Sequence, residues 1–433
     1  MKVPRVAFYT LGCKVNQYET ETMIKEFLSR GFELVDFSEE ADVYVINTCT
    51  VTSTSDRKCR KKIRQAVRRN PSGFVVVTGC YVDRNPYEIW EIPGVDLAVP
   101  NEEKTRLAQL IVEKLSISGV ESELSKSLSH AKPQRLHTRA LVKIQDGCNQ
   151  FCSYCIVPYV RGTISSRQEE EILNEVEELI QSGVKEIVVT GIRLGKYGMD
   201  LPTETNLVKL LSALARMPLA RIRLSSLEVK EITPELIALM ASSSKFCRHL
   251  HVPLQSGDNE ILRSMNRDYM REEYLQIIRE IKENIPEIAI STDVMVGFPG
   301  EGEEQFHRTR DLMMEVGFRK THVFKFSPRE GTVAASLPNQ IPPEVKERRS
   351  AELIELNRVL AAEFVKGFMG RDLEVLVERI HNGVLTGLTD NYIRVYFEGP
   401  AELKGELATV HALQAENGCL YGKLLYQRAG QKI

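Results

Sequence analysis

The chain of 433 residues is 42% hydrophobic and 27% charged, with a formal net charge of −2. This describes an ordinary soluble globular protein of about two to four domains, in which any nucleic-acid contact must come from a local patch rather than from overall charge. No apolar run approaches a membrane span. No signal peptide is expected, because Met1-Lys-Val-Pro-Arg runs straight into a strand pattern. The nine cysteines then fit a reducing cytoplasm, where thiols serve metals and catalysis.

Residues 1–115 predict alternating strands and helices: strands at Val6–Thr10, Val43–Asn47 and Phe74–Thr78, helices at Tyr18–Arg30, Ser55–Asn70 and Asn101–Leu115. Such alternation implies a parallel sheet with helices on both faces, a doubly wound α/β domain. Cys13, Cys49 and Cys80 each follow one of the three strands. The carboxyl ends of parallel strands form one edge where ligands bind, so these cysteines are expected to meet in space. Three unrelated core cysteines are the plainer alternative. Gly12 and Gly79 precede two of them and suit tight turns where backbone approaches a ligand.

The Ser55–Asn70 helix carries Arg57, Lys58, Arg60, Lys61, Lys62, Arg64, Arg68 and Arg69 against a single acid, Asp56. Arg60, Lys61 and Arg64 are expected to face solvent as candidates for phosphate contact; a merely solvated face is the competing explanation. Residues 116–137 are Ser-rich without apolar periodicity and predict a linker.

From residue 138 the alternation resumes with longer helices. Strands are predicted at Ala140–Gln145, Glu186–Thr190, Arg221–Ser225, His249–Pro253, Ala289–Val296 and Thr321–Phe326. Helices are predicted between them, and a long one at Pro343–Phe368 closes the region 138–369. Six β/α units suit a partial (β/α)6 barrel, short of the full eight and open on one side. Residues 370–433 predict short strands divided by Gly, Asn and Pro turns, a small β-barrel. That segment is not basic: Arg371 to Arg428 holds six Lys/Arg against eight Asp/Glu.

After the first barrel strand comes Cys148-Asn-Gln-Phe-Cys152-Ser-Tyr-Cys155. Three thiolates on one short loop can hold three corners of a cubane iron–sulfur cluster and leave its fourth iron open to a small molecule. A zinc knuckle or a purely structural cluster is the alternative, though no fourth Cys or His lies close by in sequence.

This spacing resembles that of the radical S-adenosylmethionine (SAM) superfamily, in which the open iron chelates SAM and an electron from the cluster yields a 5′-deoxyadenosyl radical. Tyr154 matches the superfamily's aromatic near the adenine. The chain as a whole resembles the methylthiotransferase family in domain order. The carrying motifs are Thr10-Leu-Gly-Cys13-Lys-Val-Asn16, Asn47-Thr-Cys49, Gly79-Cys80, the CxxxCxxC loop, Leu224-Ser-Ser-Leu-Glu228, His251-Val-Pro-Leu-Gln-Ser-Gly257, Met265-Asn-Arg267 and Gly297-Phe-Pro-Gly300. The resemblance implies an N-terminal methylthiotransferase domain, a radical SAM core and a C-terminal barrel of the TRAM type. It further implies an auxiliary 4Fe–4S cluster on Cys13, Cys49 and Cys80, and a SAM-binding 4Fe–4S cluster on Cys148, Cys152 and Cys155.

The opening Leu-Gly-Cys-Lys-Val-Asn looks like the branch that methylthiolates threonylcarbamoyl-adenosine at tRNA position 37, within the anticodon loop. Other branches act on isopentenyl-type adenosine or on a ribosomal-protein aspartate, and a non-catalytic Fe–S RNA-binding protein is the alternative from another class. An electron donor and a sulfur source are implied partners, without identity. Gly191 and Arg193, on a loop after the second barrel strand, together with Tyr154, Glu228, Gln255 and Gly297, are candidates for SAM contact. Arg193 and Arg267 are candidates for the threonyl carboxylate, since Arg suits bidentate recognition, with an ion-paired Arg as the alternative. Cys59, Cys247 and Cys419 are expected to be structural, and Trp90 is expected in the core rather than at a cofactor.

Overall fold

The computed structural model describes residues 3–115 and 138–425. The linker expected at 116–137 lies outside these residues, as does Tyr426, the last residue of a strand expected at Leu420–Tyr426. The described chain divides into two compact units.

The first unit comprises residues 1–136, 146–163 and 327–335. Its centre is an all-parallel sheet in the order β2-β1-β3-β4-β5. The strands are β1 (Arg5–Thr10), β2 (Glu33–Val35), β3 (Val43–Thr48), β4 (Phe74–Gly79) and β5 (Leu97–Val99). The middle strand β3 is buried along its whole length, as a near-continuous apolar run covered on both faces should be. Two hydrophobic clusters flank the sheet, and Trp90, expected in the core, belongs to neither and is 51% exposed. One packs Ile46, Val75 and Val77 against Cys59, Ile63 and Ala66 of helix α2 (Ser53–Arg69). The other packs Val43, Val45 and Val76 against Met23 and Phe27 of helix α1 (Lys14–Ser29) and against Leu107 and Ile111.

The second unit comprises residues 137–145, 164–326 and 336–433. Six parallel strands form an open arc: β6 (Ala140–Lys143), β7 (Glu186–Thr190), β8 (Arg221–Leu224), β9 (His249–His251), β10 (Ala289–Val296) and β11 (Lys320–Lys325). Isolated bridges Ile222–Phe246 and Ser226–His251 join its two halves. Alternation along each strand sorts the side chains. Ile187, Val189, Ile222, Leu224, Leu250, Ile290 and Val294 join the core beneath the surrounding helices. Their neighbours Glu186, Arg223, His249, His251 and Asp293 therefore point to the inner face.

A closed five-stranded barrel follows, in the order β12-β13-β14-β16-β15. Its strands are β12 (Asp372–His381), β13 (Val384–Thr389), β14 (Arg394–Glu398), β15 (Leu407–Glu416) and β16 (Cys419–Leu424). Closure leaves no edge strand exposed. This barrel meets the inner face of the arc through buried charges. Arg223 pairs with Glu186 at 2.6 Å and donates to the Asp390 carbonyl at 2.8 Å. Arg221 donates to the Glu374 carbonyl at 2.7 Å, and Tyr392 lies 4.4 Å below the Arg223 guanidinium and 4.5 Å from the His249 ring. Among the described residues no helix is long and apolar enough to cross a membrane.

Candidate active site

In the first unit, Cys13, Cys49 and Cys80 stand just beyond the carboxyl ends of β1, β3 and β4. These strands are neighbours in the sheet, so residues far apart in sequence share one edge. Asn16 ties two strand ends together, donating to the Leu11 carbonyl at 2.8 Å and the Thr48 carbonyl at 2.9 Å. Asn47 returns a bond to the Asn16 carbonyl at 2.9 Å. Gly79 has φ of +100°, and a Cβ there would lie 2.5 Å from the Thr48 carbonyl oxygen. Gly12 has φ of +122°, and a Cβ there would meet Cys49 Cβ at 3.1 Å. A side chain at Gly79 would collide with the Thr48 backbone, and one at Gly12 would crowd Asn16 and Cys49, and both glycines hold φ values that L side chains rarely adopt. Desolvation by the surrounding protein raises the Cys13 thiol pKa, opposed by the Arg161 cation, although the residue keeps an exposed surface. Burial pushes the Cys49 thiol up to about 11, with the Cys80 and Cys13 sulfurs adding to the rise.

The CxxxCxxC loop belongs to the same unit. Gly147, with φ of +70°, turns so tightly that a Cβ would collide with the Thr163 carbonyl. Cys148 N–H donates to the Gly162 carbonyl at 3.0 Å and Cys155 N–H to the Cys152 carbonyl at 3.0 Å, closing the loop on itself. The Gln150 N–H points to Cys148 Sγ at 3.4 Å. Cys152 is buried, while Cys148 and Cys155 are half-buried, as is Tyr154. The short helix Val157–Arg161 follows, and its Val160, with Ile156, packs against Cys80. Arg161 at its end donates to Cys80 Sγ at 3.3 Å, Glu19 at 2.6 Å and Asp146 at 3.0 Å.

A single tetrahedral zinc with bonds of about 2.3 Å would need its sulfurs about 3.8 Å apart. Neither cysteine triad is that compact. Among the described residues the one set of three Cys, His, Asp or Glu ligand atoms all within 4.8 Å of one another is His251, Asp293 and His322. Three cysteine donors in each triad fit an iron–sulfur cluster, whose irons take thiolate ligands.

Helix α2 is two-sided. Arg57, Lys58, Lys61, Arg64 and Arg68 are exposed. Arg60 corrects the expectation of a solvent-facing side chain: it is half-buried, bonded to Glu88 at 2.7 Å and to the Tyr81 hydroxyl at 2.5 Å. Lys62 lies over the Tyr9 ring at 4.2 Å. Asp56, the helix's one acid, is buried and accepts from Thr50, Arg84 and Arg329.

In the second unit, the backbone N–H of Arg193 donates to Gln145 Oε1 at 2.7 Å, and a Cβ on Gly191 would press on that same oxygen at 2.9 Å. The Arg193 side chain pairs with buried Glu231 at 2.6 Å. Burial raises the Glu231 pKa, with Arg193 opposing. Arg267 is buried against Glu228 and the Tyr269 ring. Each arginine proposed for a substrate carboxylate thus already holds a protein carboxylate, and Glu228 is likewise engaged. Gln255 adopts φ of +62°, held by its N–H to the Asp293 carbonyl and by Met295 N–H to its own carbonyl, each 2.8 Å. Gly297, φ +71°, gives its N–H to Glu301 at 2.9 Å, and Lys346 fills the space a side chain would need.

The inner face also gathers His251, Asp293 and His322, with His251 Nε2 3.2 Å from Asp293 Oδ2. Sequence reasoning named His251 only as the first residue of a family motif and did not single out Asp293 or His322. The only available signal is that each holds an inward position on adjacent strands β9, β10 and β11, the last two in register with Asp293 opposite His322.

Residues 142–313 match the Radical SAM superfamily, residues 5–100 the Uncharacterized protein family UPF0004, and residues 368–425 the TRAM domain. The chain is 42% identical to the threonylcarbamoyladenosine tRNA methylthiotransferase MtaB of Bacillus subtilis, covering 95% of this chain and 94% of that one. It is 35% identical to the tRNA-2-methylthio-N(6)-dimethylallyladenosine synthase of Geobacillus kaustophilus, over 96% and 81%. Its fold resembles that of the radical SAM methyltransferase TsrM from Kitasatospora setae, with a TM-score of 0.56 over 77% of each chain at 17% identity.

Proposed function

Because the chain belongs to the radical SAM methylthiotransferase family, we propose that it attaches a methylthio group to carbon 2 of threonylcarbamoyl-adenosine in the anticodon loop of tRNA, in the cytoplasm. One observation carries the reading. Cys13, Cys49 and Cys80 converge at the ends of three adjacent strands in a chain that also bears the CxxxCxxC loop and aligns end to end with a relative named for this substrate.

We assign Cys13, Cys49 and Cys80 to an auxiliary 4Fe–4S cluster, and Cys148, Cys152 and Cys155 to a second cluster that binds SAM. When bound, the clusters and SAM supply the one-electron chemistry and the sulfur that an adenine C–H, neither acidic nor electrophilic, requires. The chain's own residues do the rest. Asn16, Gly12 and Gly79 hold the first triad's backbone in place. Gly147 and the Cys148–Gly162 bond fix the second. Gln145, Gly191 and Gln255 shape loops at strand ends of the arc, where such barrels bind ligands. The exposed Arg57, Lys61, Arg64 and Arg68 give the RNA backbone a cationic strip that the acidic-leaning small barrel lacks.

The substrate branch is tested by turnover of tRNA carrying threonylcarbamoyl-adenosine against tRNA carrying isopentenyl-adenosine, under identical conditions. Faster methylthiolation of the first is expected. Equal or faster turnover of the second would move the enzyme to the isopentenyl branch, the activity named for the relative at 35% identity, and leave the chemistry standing. SAM cleavage with no sulfur gained by either tRNA would favour a ribosomal-protein substrate.

A further inference from the structure

A guanidinium has five N–H donors, and Arg161 uses them all. Nη1 donates to Glu19 and Asp146, and Nη2 to Asn16 and Glu19. The remaining donor, Nε, points to Cys80 Sγ at 3.3 Å. The side chain is 2% exposed, so this contact is shielded from water and salt. Glu19 also accepts from Lys104 at 2.7 Å. Two cations and the two carboxylates Glu19 and Asp146 are therefore already matched within the network, and the bond to sulfur is not needed to neutralise either partner. Asn101 adds a weaker approach to the same sulfur at 3.7 Å and anchors to the Val160 carbonyl at 3.0 Å.

We propose that Arg161 is a positioning residue that sets the reduction potential of the auxiliary cluster through its N–H bond to the Cys80 sulfur. The inference rests on the reading that Cys80 is an iron ligand. Reducing a cluster adds one negative charge to the sulfurs and irons. A buried cation donating to one of those sulfurs stabilises the reduced form more than the oxidised one and raises the potential. Arg161 also carries a geometric consequence. It sits at the end of the helix that follows the CxxxCxxC loop, and its partner Asp146 lies just before that loop. The donor on the auxiliary ligand is therefore held by the segment that carries the other triad.

The test is a redox titration of the iron-loaded full-length enzyme, followed by electron paramagnetic resonance. The auxiliary signal is identified as the one that disappears in a Cys13, Cys49 and Cys80→Ala variant. Arg161→Lys keeps a cation for Glu19 and Asp146, but the three ammonium donors are taken up by the oxygen acceptors and the sulfur loses its bond. Arg161→Gln removes the charge as well. The auxiliary midpoint is expected to move negative in Arg161→Lys, leaving about tenfold less reduced cluster at a fixed potential (59 mV for one electron), and further in Arg161→Gln, while the SAM-binding cluster stays where it was. An auxiliary midpoint unchanged in both variants, at full iron content, overturns the proposal and leaves the ligand assignment intact. Loss of the cluster in Arg161→Lys also overturns it, because the residue would then hold the loop and not the potential. Full iron and both signals in a Cys80→Ala variant would instead overturn the ligand assignment beneath it.

Discussion

Arg329 donates to Asp56 at 2.5 Å, joining two residues 273 apart in the sequence. Arg84 reaches the same Asp56 oxygen at 2.9 Å, and Thr50 donates to the other at 2.7 Å. The acid in the basic helix α2 is therefore a buried anchor for the segment 327–335, which also meets the start of the helix through Ser327 and Ser53.

Asp56→Ala should destabilise the protein by about 3–5 kcal/mol, because it strands the buried Arg329 without a counter-charge. The measurement is the denaturant midpoint of the first unit. A shift of under about 1 kcal/mol, the size of a surface pair, would show that water compensates Arg329.

The cysteine triads predict metal content. Anaerobic reconstitution should give about eight irons per chain if each triad holds a cubane. A Cys148, Cys152 and Cys155→Ala variant should keep about half of them. The Cys13, Cys49 and Cys80→Ala variant should still cleave SAM to 5′-deoxyadenosine but transfer no sulfur. Stoichiometric zinc at either triad would remove the mechanism.

Helix α2 predicts salt-dependent binding. Reversal of Lys61, Arg64 and Arg68 to Glu should weaken tRNA binding and flatten its salt dependence, by about 0.7–0.9 in log–log slope for each phosphate the helix no longer neutralises. Arg60 is left in place, since its Glu88 pair makes it part of the fold. Unchanged affinity and slope would assign these charges to solvation alone.

The remaining buried cysteines predict reactivity. Burial pushes the Cys59 and Cys247 thiols from the usual 9.0 to about 12. In the folded iron-free protein at about pH 8, iodoacetamide should leave both unlabelled, and denaturation should expose them. A raised folded pKa means that the neutral thiol contributes its full stability below pH 9, and that this is lost as pH rises toward 12. Alkaline unfolding should therefore steepen in that interval, and less so in a Cys59→Ala variant.

Much of this architecture was legible because strong patterns coincide with chemistry. Val43–Thr48 and Phe74–Gly79 are apolar runs long enough to read as buried strands, so the cysteines after them could be placed on one edge. The edge strands Glu33–Val35 and Leu97–Val99 are three residues each, too short for any period to show. The two strands of the small barrel beginning at Asp372 and Leu407 run to 10 residues, longer than expected, because bulges between Val377 and Arg379 and between Ala412 and Gln414 break their alternation. Charge pairing was the least legible. The sequence shows Arg60, Arg193 and Arg267 as cations, but their partners Glu88, Glu231 and Glu228 lie 28 to 39 residues away. Arg161 lies just past the CxxxCxxC loop, its sulfur partner is 81 residues off, and no spacing rule connects them.

The first unit is assembled from three separate stretches of chain, the last ending at residue 335, and this imposes an order on biosynthesis. Asp56 and Arg84 leave the ribosome early, whereas Arg329 follows about 250 residues later, a delay of roughly 10–50 s at about 5–20 residues per second. Throughout that interval the nascent sheet must persist with the Asp56 network incomplete. Iron delivered during translation would meet a half-finished receptacle. Cluster insertion is therefore expected to follow chain release, and a ribosome stalled before residue 327 should carry a nascent chain that takes up little iron.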